Sequence, residues 1–83
     1  MNQIQEYDLV AIDRDIYATH KEINKPILLR KGQVGTVVMD FDGEGFLIDF
    51  ADGEGTTYAM ETVLADRLIP LFYNPIVLQN RTN

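Results

Sequence analysis

Asp40-Phe41-Asp42-Gly43-Glu44-Gly45 is the stretch of this chain whose residue types come nearest to chemistry. Carboxylates at alternate positions ahead of a glycine open a calcium loop, in which hard oxygen ligands surround a hard cation. The pattern then breaks, because the twelfth position of such a loop needs a bidentate Glu and here holds Ala51. An acidic hairpin turn accounts for the same residues, so no metal is expected. His20 is the sole histidine and the chain has no cysteine, whereas zinc takes three or four protein ligands. Asp15 and Glu22 stand near His20, yet no nucleophile is placed to use it as a base, and it reads as an exposed loop residue. We expect no catalytic residues and no cofactor, and therefore a protein that is not an enzyme.

Binding chemistry is better represented. Lys21, Lys25, Arg30 and Lys31 collect in one segment, and Tyr17 beside them has the apolar ring and polar tip that suit an interface. Asp42, Glu44, Asp52 and Glu54 form two acidic turns, a second surface fit for a basic partner. Lys31-Gly32-Gln33-Val34-Gly35-Thr36-Val37-Val38 joins a basic residue, two glycines and a β-branched run. It is similar to the glycine motif of ribosomal and transcription-factor SH3-like domains that contact RNA, where basic neighbours meet phosphate. Here thirteen acidic residues against seven basic give a net charge of −6, which repels phosphate at long range. No aromatic-plus-arginine stacking platform accompanies the motif either. Nucleic acid is thus the lesser reading, and a protein partner the preferred one.

The elements that must position these residues follow from alternation and turn chemistry. Tyr7–Asp13 reads as a first strand and residues 14–30 as a long surface loop, with Ile27, Leu28 and Leu29 folding back as a lid. Gly35–Phe41 reads as a second strand, with Val37, Met39 and Phe41 on one face. Asp-Gly between apolar runs marks a hairpin into Phe46–Phe50, whose Phe46, Ile48 and Phe50 point inward. Asp52-Gly53-Glu54-Gly55 repeats the turn ahead of a strand over Thr56–Glu61. Ala65-Asp66-Arg67 reads as a short helical turn and Leu68–Leu71 as a closing strand with Pro70 at the sheet edge. Phe41, Phe46 and Phe50 are assigned to the core. In the glycine segment, a glycine is required where the backbone turns tightly or a neighbouring strand leaves no room for a Cβ.

Tyr7-Asp8-Leu9-Val10, Lys31–Val38, the Phe-rich strand with its Asp-Gly, Thr57-Tyr58-Ala59 and Asp66-Arg67-Leu68 together resemble a family of small bacterial proteins known as a domain of unknown function. The resemblance covers roughly residues 6 to 71 and implies an SH3-like barrel. It implies no activity. Some members are encoded beside genes read as toxins, which would make such a chain an antidote or accessory partner of a neighbouring gene product. Two features depart from the family: the longer stretch from Asp13 to Arg30, and the segment beyond Phe72.

The expectation is therefore an all-β fold, a small SH3-like barrel of about five antiparallel strands with a long first loop and a short helical turn before the last strand. Residues 1–71 form the barrel and 72–83 an apolar tail. Eighty-three residues suffice for one domain that buries only about 60–65% of its unfolded surface. Phe72, Tyr73, Ile76, Val77 and Leu78 either add a strand to the barrel or bury themselves in a second copy as a homodimer. With a polar, acidic opening segment and no apolar run of membrane-spanning length, a cytoplasmic chain without membrane contact is expected.

Overall fold

The computed structural model describes residues 4–79. Within them run β1 (Leu9–Ile12), β2 (Ile16–Thr19), β3 (Pro26–Leu29), β4 (Val34–Phe41), β5 (Gly45–Ala51), β6 (Thr57–Leu64), a 3₁₀ turn (Ala65–Arg67) and β7 (Leu68–Pro70). The fold is almost entirely β. Five strands form one antiparallel sheet in the order β6-β5-β4-β1-β7, and β2 pairs with β3 in a second, two-stranded sheet. β7 takes one edge of the large sheet, so Pro70, opposite Val10, lacks a donor where none is needed.

Alternation builds the core. On β5 the residues Phe46, Ile48 and Phe50 are buried, and their cross-strand partners Val63 and Ala59 on β6 are buried with them. Val10 and Ile12 from β1, Val37 from β4 and Leu68 from β7 complete the same interior. No buried side-chain polar atom among the described residues lacks a hydrogen-bond partner.

Four expectations are corrected or extended. The stretch 14–30 is a hairpin and not an irregular loop: Ile16 faces Leu29 and Ala18 faces Ile27, all turned toward the core, while Tyr17 and Leu28 point out. Its strands are four residues each, too short for their alternation to stand out among the charged residues around them. Second, the five antiparallel strands expected form the large sheet, and the hairpin adds two more beside it. Third, β6 runs on to Leu64, because the whole of β5 from Gly45 is available to pair with it. Fourth, Phe41 and Met39 are not core residues. The register between β4 and β5 slips between Val37 and Met39, and one extra residue reverses which face every later side chain takes.

The two turns have the predicted chemistry. Asp42 (φ 58) and Gly43 (φ 76) both adopt the left-handed backbone that a tight hairpin demands. Asp40 Oδ1 accepts the Gly43 N–H at 2.7 Å, and Asp52 Oδ1 accepts those of Glu54 and Thr56 at 2.9 and 3.1 Å. Asp40 and Asp52 are thus turn-builders.

After Pro70 the Leu71 N–H donates to Leu9 O at 3.0 Å, and residues 71–79 form no strand. Phe72, Tyr73, Ile76, Val77 and Leu78 are all largely exposed.

Candidate functional site

The hairpin β2–β3 presents the most complete set of binding groups. Antiparallel register places Tyr17 directly opposite Leu28. Tyr17 is 86% exposed and Leu28 44%, so among the described residues the pair forms an apolar spot left largely open. Lys21 and Lys25 stand at the hairpin tip, Arg30 and Lys31 at its base. Strands of four residues separate the two pairs by about 13 Å, with Tyr17 between them. The structure therefore brings the five residues onto one hairpin, but as two basic ends around an aromatic centre and not as a single cluster.

The hairpin is held firmly. At the tip, the Lys21 N–H donates to Tyr58 O on β6 at 2.8 Å, and His20 stacks on the Tyr58 ring with centroids 6.1 Å apart. His20 Nδ1 accepts the N–H groups of Glu22 and Ile23 at 3.2 and 3.4 Å, which closes the turn. His20 is half-buried, in contrast to the exposed loop residue expected. Asn24 turns the chain with φ 57. At the base, the Lys31 N–H donates to Asp15 Oδ1 at 2.7 Å. Gln33 links the two regions: its Nε2 donates to Tyr58 Oη at 2.7 Å and its Oε1 accepts the Arg30 N–H at 3.1 Å. Tyr58 and Gln33 stand within two of the sequence motifs, but the motifs give neither residue a role. Their roles depend on a pairing across the fold that no local pattern encodes.

A shallow polar pocket of about 320 Å³ lies along Arg30, Lys31, Gly32, Gln33 and Val34. Gly32 makes this turn with φ +93, and its N–H donates to Ile12 O at 2.8 Å. Nearby, Arg14 pairs with Asp13 at 2.8 Å. The hydrogen bond from Arg14 holds the Asp13 carboxyl below its ordinary value, and the same bond raises Arg14.

The acidic turns do not share a surface as expected. Asp42 and Glu44 precede β5 and Asp52 and Glu54 follow it, so the length of a seven-residue strand, about 20 Å, lies between them. Each turn is exposed on its own. Among the described residues, no group of three or more His, Cys, Asp or Glu side chains is arranged to hold a metal ion, and no helix is long and apolar enough to cross a membrane.

No curated protein and no solved structure matches the chain. A family model does, and it spans residues 6–70, which takes in every strand from β1 to β7 and leaves out the apolar tail. The chain belongs to the family described as Domain of unknown function (DUF4926).

Proposed function

We propose that this chain is a non-enzymatic protein-interaction module with an SH3-like architecture, and that it engages its partner through the outward face of β2–β3. The strand order β6-β5-β4-β1-β7, with a hairpin inserted after the first strand and a 3₁₀ turn before the last, supports the architectural part. The observation that carries the functional part is Tyr17. It is a large aromatic side chain, 86% exposed, opposite a half-exposed Leu28, on a hairpin pinned at both tip and base. A rigid aromatic in this position anchors a contact at low entropic cost. Lys21 and Lys25 on one side and Arg30 and Lys31 on the other select a partner with acidic groups around an apolar centre.

The test is a low-salt affinity capture of the tagged chain from its native lysate, split into RNase-treated and untreated halves, alongside Tyr17→Ala. A protein that survives RNase and is lost with Tyr17→Ala supports the reading. Recovery that vanishes with RNase transfers the role to the Arg30–Val34 turn and RNA. Capture unaffected by Tyr17→Ala removes the hairpin from the interface.

A further inference from the structure

A second surface lies on the far side of the large sheet, away from the core. A solvated sheet face alternates to polar residues, but the outward face of β4, β5 and β6 does not. Residues paired across strands point to the same face, and the register sets Phe41 opposite Gly45 and Gly45 opposite Leu64. In the adjoining row Met39 stands opposite Leu47. Phe41, Met39 and Leu64 are 43%, 45% and 50% exposed. Gly45 between them is itself buried, so Phe41 and Leu64 flank a covered strand and the apolar face runs on across it.

The strands and turns that build this face carry charge of one sign. From Gly32 to Leu64 the chain carries Asp and Glu but no Lys, Arg or His. Asp42 and Glu44 form the turn beside Phe41, and Asp49 lies on the face itself, opposite Met60. A second copy would bring the same acidic face and a net charge of −6, so self-docking is opposed electrostatically.

We propose that this face docks a cationic amphipathic segment of a partner protein. Its apolar side chains rest on Met39, Phe41 and Leu47, and its lysines or arginines meet Asp42, Glu44 and Asp49. This surface is separate from the Tyr17 hairpin, and either can fail without the other.

The experiment is an anisotropy titration of the full chain against a labelled Lys/Leu amphipathic peptide of about four helical turns, with a Lys/Ser peptide of equal charge as control. Phe41→Ser is expected to weaken Lys/Leu binding by about tenfold, the loss of one anchoring side chain. Met39→Ser, on the same exposed face, weakens it in the same direction. Tyr17→Ala leaves it unchanged, and the Lys/Ser peptide binds far more weakly. Equal affinity of Phe41→Ser and the parent, or of the two peptides, overturns the proposal in favour of undirected charge attraction. Loss of binding with Tyr17→Ala assigns the peptide to the hairpin and overturns it as well. So does self-association of the free chain, in sedimentation, that Phe41→Ser abolishes, since the face would then belong to a second copy.

Discussion

Gly32 and Gly35 stand three positions apart and are glycines for different reasons. Gly32 has open space around it but a backbone at φ +93, which a Cβ makes unfavourable. Gly35 faces β5, where an added Cβ would collide with Ile48 Cγ2 and lie 3.0 Å from Phe50 Cδ1 and 3.1 Å from Asp49 O. Ile48 and Phe50 are fully buried and have nowhere to move. Gly32→Ala should therefore cost about 1 kcal/mol, and Gly35→Ala about 1–3 kcal/mol through overpacking. Thermal denaturation separates them, with roughly 4–8 °C lost per kcal/mol in a domain of this size. Asp13 belongs to the same scale. Its folded carboxyl titrates below the ordinary 3.8 because Arg14 hydrogen-bonds it, so the pair stabilises the fold above that pH and loses its effect as pH falls through the lowered value. Both partners are exposed and salt screens them. Asp13→Asn should thus lower stability slightly at pH 6 in dilute buffer and by less as the pH falls, which acid denaturation series on the two chains can read.

The hairpin β2–β3 decides what the molecule presents, and Tyr58 on the neighbouring strand holds it there. Tyr58→Phe keeps the ring against His20 but removes the acceptor of the Gln33 Nε2 bond. The expected cost is about 0.5–1.5 kcal/mol. Amide exchange at the hairpin tip, including the Lys21 N–H on Tyr58 O, should quicken, while the core amides of β5 keep their protection. Uniform acceleration across the sheet would mean that the hairpin does not open separately. The other decisive element feature is the irregularity in β4 between Val37 and Met39. The apolar run Val37-Val38-Met39 leaves open which residue is the extra one, because a bulge is set by the fit to the partner strand.

At the scale of the whole molecule the charge is polarised. Residues 14–31 carry Arg14, Lys21, Lys25, Arg30 and Lys31 against Asp15 and Glu22, whereas the strands from Val34 to Leu64 carry acids alone. The molecule measures 61 × 29 × 20 Å. Residues 72–78 bury almost nothing of themselves. Replacing Phe72, Ile76 and Val77 with serine should then change the stability of the dilute chain by no more than about 0.5 kcal/mol per substitution, the range of surface changes. A homodimer built on the tail would show the opposite: a midpoint that rises with protein concentration in the parent and not in the triple variant.

What the sequence determined by itself was everything written in short-range rules. The Asp-Gly turns, the inward alternation of Phe46, Ile48 and Phe50, the Ala65–Arg67 turn and the edge position of Pro70 are local choices of backbone angle or side-chain period. The two reasons for a glycine were legible too, though not which of the two applied at Gly32 and which at Gly35. Tertiary structure decided what depends on a partner strand. It turned the charged stretch 14–30 into a hairpin by giving Ile16, Ala18, Ile27 and Leu29 a core to cover. By slipping one residue against β5 it put Met39 and Phe41 on the outer face, and by running β5 between them it set the acidic turns at opposite ends of a strand. A single extra residue in a ladder costs little locally yet reverses every side chain beyond it, and only the facing strand determines where it falls.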